Sequence, residues 1–203
     1  MRILLSLIIT CLACVFVSAE KLSIAVSHSI PPYVIREGNQ GFVLDFVREA
    51  LQPLGHEVDT IRYVSNKRML ALFNEGSVDI IINAPPNMLS GFPSDTIVHF
   101  ENVVIALTSK NFKIGTIHDL VNRRVLAFQF AKAYLGPEFL AMAEENEEYR
   151  EFAKQINQLR HLYLNRTDVI VMDRRIFLYY LRELREQMDI SEPVSYYSLF
   201  QKV

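Results

Sequence analysis

Five residues of this chain have the types and positions to meet a small molecule: His28, Tyr33, Asn83, Phe130 and Asp173. Each lies at or just beyond the carboxyl end of an apolar run. Tyr33 follows Pro31 and Pro32 and offers an aromatic face; Asn83 ends "VDIIIN" and offers an amide; Asp173 ends "TDVIVMD" and offers a carboxylate. His28 could donate a hydrogen bond or act as a pH-sensitive group. Each also has a structural reading: Tyr33 as a turn aromatic covering the core, Asp173 as the cap of a helix beginning at Arg174, Asn83 as a turn former ahead of Pro85, and His28 as an ordinary loop histidine. Lys67, Arg68 and Arg174 follow strand or turn ends, where a cation could neutralise an anion. Asp45, in the first turn of its helix, reads as a structural acid favoured by the helix dipole.

These residues point to binding rather than turnover. No G-x-S-x-G, P-loop, H-E-x-x-H or C-x-x-C occurs. The five histidines, 28, 56, 99, 118 and 161, are too dispersed to suggest a metal site, so neither a metal nor another cofactor is expected.

The elements that must position the five residues alternate in type. Leu22 to Val26 reads as a buried strand ended by the two prolines. After Gly41, residues Val43, Val47, Ala50, Leu51 and Leu54 share one helical face, and Gly55 stops the helix. A strand over Val58 to Val64, a helix over Lys67 to Glu75 and a strand over Val78 to Ala84 complete a β-α-β-α-β order, which implies a parallel sheet with covering helices. The stretch Pro85 to Asp95 reads as a loop, and Ile97 to Leu107 as an unusually long strand. "TIHD" at Thr116 to Asp119 predicts a capping box opening a short helix. A strand over Arg124 to Phe128, a helical stripe of Tyr149, Phe152, Ile156, Leu159 and Tyr163, a strand over Thr167 to Asp173 and a last helix marked by Phe177 to Met188 follow. The acidic run "EENEEYRE" predicts a solvated helix start. Four strand ends, at Ser27 to Tyr33, Asn83 to Pro86, Phe128 to Ala131 and Asp173, would then face one crevice, the place where open α/β sheets collect ligands.

The amino terminus bears on location. Arg2 precedes an apolar run from Ile3 to Ala19 that closes with Val17, Ser18 and Ala19, the pattern of a cleavable secretory signal peptide. Read instead as an uncleaved anchor, the run is short for a spanning helix. Cys11 and Cys14, the chain's two cysteines, both lie in it, so a processed chain would need neither disulfide nor thiol chemistry. Removing it takes one arginine and leaves a net charge of −3. Nothing in that balance resembles a nucleic-acid footprint, which needs a clustered basic face.

The order of "IPPY", "GFVLDFVREAL", "NEGSVDIIINA", "IHDLVNRRVLAF" and "LNRTDVIVMD" resembles the family 3 extracellular solute-binding proteins, the periplasmic receptors of polar amino acid uptake in bacteria. The resemblance covers most of residues 21 to 201. It implies an α/β chain of the type II periplasmic-binding-protein kind, two lobes with a ligand cleft between them. Lobe 1 would span residues 20–100, a crossover strand or hinge 101–108, and lobe 2 residues 109–196, with 197–203 beginning a return to lobe 1. It further implies that Tyr33 packs on the ligand, that Asp173 takes the ligand's ammonium group, and that Asn83 keeps the polar role of the first lobe's strand end.

Two departures weaken an amino acid ligand. The family's Thr-x-x-Arg after the third strand is replaced by "PPNMLSGFP", with no arginine between Arg68 and Arg123, and the Gly-Thr turn of the second lobe is replaced by Phe130-Ala131. An unpaired buried carboxylate would cost several kcal/mol. The expected function is therefore a periplasmic, monomeric binding protein for a small polar or amino-acid-like solute, with an ABC-type permease or a membrane sensor as partner. The alternatives are a ligand-poor sensory or interaction module and, less favoured, a dehydratase-type enzyme using Asp173 or His28.

Overall fold

The computed structural model describes residues 19–27, 30–83 and 91–201. The expected leader, apart from Ala19, and the positions of His28 and Ala84 to Ser90 lie outside these residues. No described helix is long and apolar enough to cross a membrane.

Apolar β-branched runs make the strands, and the helices between them fold back on the sheets. The first half contains β1 (Glu20–Ser27), α1 (Phe42–Leu51), β2 (His56–Val64), α2 (Asn66–Asn74) and β3 (Ile80–Ile82). Its sheet has the order β2-β1-β3 with both pairs parallel, as the β-α-β-α-β pattern predicts. A short 3-10 turn over Gln52–Leu54 follows α1, and Gly55, in the left-handed region at φ 79°, ends it without steric cost. Ser65 caps α2 by accepting from the Arg68 amide at 3.3 Å.

The second half contains β4 (Asn102–Leu107), β5 (Val125–Phe128), α3 (Ala131–Tyr134), α4 (Pro137–Glu145), β6 (Tyr149–Phe152), α5 (Ile156–Tyr163), β7 (Val169–Asp173), α6 (Arg174–Leu184) and β8 (Val194–Tyr197). The five strands run β6-β5-β7-β4-β8, with β4 antiparallel to both β7 and β8. Each sheet with its helices is called a lobe below. The chain's last described residues stay with the second lobe: Leu199 and Phe200 pack against its cluster, and the Tyr197 hydroxyl donates to the Phe112 carbonyl at 2.8 Å.

Three sequence expectations are corrected. The strand predicted over Ile97 to Leu107 is confined to Asn102–Leu107, because the preceding backbone is held by side chains instead of a neighbouring strand: the Glu101 amide donates to Asp173 Oδ2 at 2.7 Å. The helical stripe from Tyr149 begins as a strand. Tyr149 to Phe152 pair in parallel with Val125 to Phe128, and only Ile156 onward is helical. The acidic run is a helix end rather than a start, since Pro137 at the first helical position opens α4 earlier. Asn146 closes it, donating to the carbonyls of Leu120 and Arg123 at 2.8 and 2.9 Å. The capping box appears as expected, with Asp119 accepting from the Thr116 amide at 2.9 Å and opening a 3-10 turn over Ile117–Leu120.

One hydrophobic cluster takes in both sheets. Ile24, Val26 and Ile82 of the first belong with Val103, Ile105 and Met172 of the second and with Phe177 of α6. Burial of such side chains contributes about 1.5–3 kcal/mol each, so the seam between the lobes carries part of the fold's stability.

Candidate functional site

The carboxyl ends of β1, β3, β5 and β7 lie along this seam. The segment after β1 is shaped by two isolated bridges, Ile30 with Val34 and Ile35 with Gln40. It ends at Gly41, whose φ of 122° admits no side chain comfortably and where an added Cβ would sit 2.6 Å from the Tyr33 carbonyl oxygen. That close approach lets the Val43 amide donate to the same carbonyl at 3.0 Å, which fixes the backbone of Tyr33 to the start of α1. The Tyr33 ring is buried, only 3% exposed, and packs edge-on against Phe100 with centroids 4.7 Å apart.

Tyr33 and Asp173 meet directly. The Tyr33 hydroxyl donates to Asp173 Oδ1 at 3.2 Å and accepts from Arg175 Nη1 at 3.0 Å. Burial raises the Tyr33 pKa above its ordinary value, against the lowering effect of the Arg175 hydrogen bond. Asp173 is buried, 1% exposed. Its Oδ1 also accepts from the amides of Arg175 (2.8 Å) and Ile176 (3.1 Å), and its Oδ2 from the Glu101 amide (2.7 Å). It therefore caps α6 and ties the interlobe segment to β7, with three of its four donors on Oδ1 and one on Oδ2.

Two further links cross the seam. The Asn66 amide donates to Gln129 Oε1 at 3.0 Å, and Asn66 Nδ2 donates to the Gln129 carbonyl at 3.1 Å. The Asn83 carbonyl accepts from the Tyr134 hydroxyl at 2.7 Å. Asn83 and Phe130 are both turn residues with positive φ, 61° and 69°. The Phe130 amide donates to Glu151 Oε2 at 2.7 Å, the Lys132 amide to Glu151 Oε1 at 3.3 Å, and the Tyr149 hydroxyl to Glu151 Oε1 at 2.8 Å. The β5-α3 turn thus holds the chain's own carboxylate. Burial raises the Tyr134 pKa above its ordinary value.

The structure brings Tyr33 and Asp173 into contact and sets Asn83 and Phe130 in turns on opposite sides of the seam. His28 lies outside the described residues. Three participants were missed from sequence: Arg175, the Asn66–Gln129 pair and Glu151. Arg175 sits one position beyond the Arg174 that the strand-end rule singles out. Arg174 itself lies 3.9 Å from Glu101 and over the Tyr196 ring, and Arg68 lies 3.9 Å from Glu75. Nothing in the sequence distinguishes Arg175 from them. Among the described residues, no cluster of three His, Cys, Asp or Glu could hold a metal ion.

A recess of about 210 Å³ opens between the lobes, lined by Pro31, Arg36 and Glu37 on one side and Lys154, Ile156, Tyr179, Tyr180 and Glu183 on the other. It lies below the usual range of about 300–1,000 Å³ for sites of drug-sized ligands, and has room for a molecule of a few heavy atoms.

No family model and no curated protein sequence matches the chain. Solved structures do match its fold. The GluR0 ligand-binding core in complex with L-glutamate superposes with a TM-score of 0.71 at 17% identity, covering 90% of this chain and 80% of that one. A histidine kinase sensor domain with similarity to periplasmic binding proteins gives 0.71 at 17%, covering 90% and 78%. The truncated, arginine-bound form of ArgBP from T. maritima gives 0.67 at 20%, covering 91% and 85%. At these identities the likeness establishes the fold, which is that of the type II periplasmic-binding-protein-like domains.

Proposed function

We propose that this chain is an extracytoplasmic solute-binding module in which two lobes, residues 20–100 and 109–196 joined through 101–108, close on a small polar or amino-acid-like solute. The observation that carries this reading is the set of direct hydrogen bonds across the seam at the strand ends: Tyr33 to Asp173, Asn66 to Gln129 and Tyr134 to Asn83. Groups able to satisfy one another across a cleft are also placed to satisfy a solute between them. The secretory leader pattern of residues 1–19 supports a periplasmic location, and the sensor domain with similarity to periplasmic binding proteins among the fold neighbours agrees with it. An ABC-type permease is the partner this reading implies, with the module acting as a monomer and without turnover.

The test is thermal unfolding of the purified protein against amino acids, small organic acids, sugars and aromatic metabolites. A solute at a hundred times its dissociation constant stabilises the native state by about 2.7 kcal/mol. A class-specific shift supports capture, and no shift with any class contradicts it.

A second reading is favoured by one observation. Asp173 accepts from four internal donors, which suits a sensory or interaction module that retains the fold with little solute affinity. The sensor domain among the fold neighbours agrees with it. Copurification with a membrane partner in the absence of any solute effect would favour this reading. An enzyme on this scaffold is the least supported, because Asp173 is engaged structurally, capping α6 and bonding the Tyr33 hydroxyl and the Glu101 amide.

A further inference from the structure

We infer that the segment from Gln129 to Tyr134 is a clasp that holds the two lobes shut by itself, without a solute. This goes beyond the solute-binding reading, because it concerns the chain alone and stands whether or not a solute is captured.

The segment runs from the end of β5 through α3 and reaches the ends of both outer strands of the first sheet. At its start, Gln129 Oε1 accepts from the Asn66 amide at 3.0 Å and the Gln129 carbonyl from Asn66 Nδ2 at 3.1 Å, just beyond β2. At its end, the Tyr134 hydroxyl donates to the Asn83 carbonyl at 2.7 Å, just beyond β3. Strands β2 and β3 flank β1 in that sheet, so one short piece of the second lobe grips the first on both sides of its central strand. Every bonding group belongs to the chain, and the grip needs no ligand to form.

The clasp is also fixed to its own lobe. Glu151 of β6 accepts from the amides of Phe130 and Lys132 at 2.7 and 3.3 Å, and the Tyr134 ring packs against Phe128 with centroids 6.0 Å apart. Bonds made by one braced segment are coupled, so losing the grip at one end loosens the other.

Asn66 makes the clasp releasable. It is buried, and its Oδ1 has no hydrogen-bond partner among the described residues. A buried acceptor left unpaired is costly, and opening the seam returns it to water. A solute needs an open cleft to enter, so it reaches the seam only in the fraction of molecules whose clasp is undone.

The Asn66 amide reports the clasp directly. It stands in the first turn of α2, where a backbone amide has no intrahelical acceptor, and its acceptor is Gln129 Oε1 of the opposite lobe. Hydrogen exchange at this amide is measured by NMR, with no solute added, in the natural chain and in Tyr134→Phe, which leaves Asn66 and Gln129 untouched. Exchange at Asn66 is expected to be roughly fivefold faster in Tyr134→Phe, the effect of one hydrogen bond lost elsewhere on the same clasp. The amides of Val169 to Met172 in β7 are expected to keep their rates. Solution scattering of the double variant Gln129→Ala, Tyr134→Phe, its β7 amides still protected, is expected to give a larger radius of gyration than the natural chain. An unchanged Asn66 rate in Tyr134→Phe overturns the inference, because the two grips are then independent. So does an equal acceleration in β7, which reports loosening of the whole fold, and so does a double variant as compact as the natural chain.

Discussion

The Tyr33 hydroxyl donates to Asp173 Oδ1 across 140 positions of sequence, joining the turn after β1 to the end of β7. Asp173 loses one of four donors when this bond is broken, whereas removal of the carboxylate strands three backbone amides. Tyr33→Phe should therefore cost about 1 kcal/mol. Asp173→Ala should cost about 3 kcal/mol, from the lost helix cap and the orphaned Glu101 amide. Urea unfolding of the two variants against the natural chain checks the order.

Asn66 and Gln129 form a second link between the lobes, with both bonds donated by Asn66, one from its amide to the Gln129 side chain and one from its side chain to the Gln129 carbonyl. Gln129→Ala leaves the Asn66 amide without its acceptor, and Asn66 is 92% buried by its 8% exposure. A cost of about 1–2 kcal/mol is expected for either alanine. The double variant should fall short of the sum by about 0.5 kcal/mol or more, as residues in one network do.

Gly41→Ala should destabilise the chain by about 1–3 kcal/mol, because the residue sits at φ 122° with the Tyr33 carbonyl where a methyl would go. The same substitution disturbs the turn that carries Tyr33, so any solute-induced thermal shift should shrink with it. Gly55→Ala, at φ 79° but with nothing within 4 Å of the added carbon, should cost less and leave the solute shift unchanged.

Acid stability has an identifiable contributor in Asp168. Its carboxylate accepts from Arg124 Nη2 at 2.7 Å and from the Arg124 amide at 2.9 Å. Burial alone would raise its pKa, but the side-chain and backbone hydrogen bonds from Arg124 hold it below the ordinary value. A depressed folded pKa means that stability is present above the unfolded value, about 3.9, and is lost as pH falls through the lower folded one. Asp168→Asn should therefore be less stable than the natural chain at pH 7, and the difference should vanish as pH is lowered below ~4. Unfolding midpoints from pH 7 to pH 3 check the sign.

The fold was legible where local chemistry and tertiary pairing agree. The alternation of apolar runs and amphipathic helices from Leu22 to Ile82, with Gly55 and Gly76 as stops, gave the parallel three-stranded sheet. Legibility failed where two periods coincide. Tyr149, Phe152, Ile156, Leu159 and Tyr163 are spaced for a helix, yet Tyr149 and Phe152 are strand residues because β5 offers them an edge. Pro137 after Gly136 marked the start of α4 more clearly than the acids marked anything. In the candidate site, strand-end logic placed Tyr33 and Asp173 correctly at one seam. It had no means of showing that they bond each other, since a contact between residues this far apart depends on how the two sheets meet. Arg175 and Gln129 were invisible for the same reason: each is an ordinary polar residue until the opposite lobe is in place.

The most direct test of the central claim is an amide chemical-shift titration of the isotopically labelled chain with whichever solute gives the largest thermal shift. The account predicts saturable perturbations at residues of both lobes along the seam, around Tyr33 and Asn66 on one side and Gln129 and Asp173 to Ile176 on the other. Perturbations confined to one lobe, or scattered away from these positions, would contradict a solute held between the lobes.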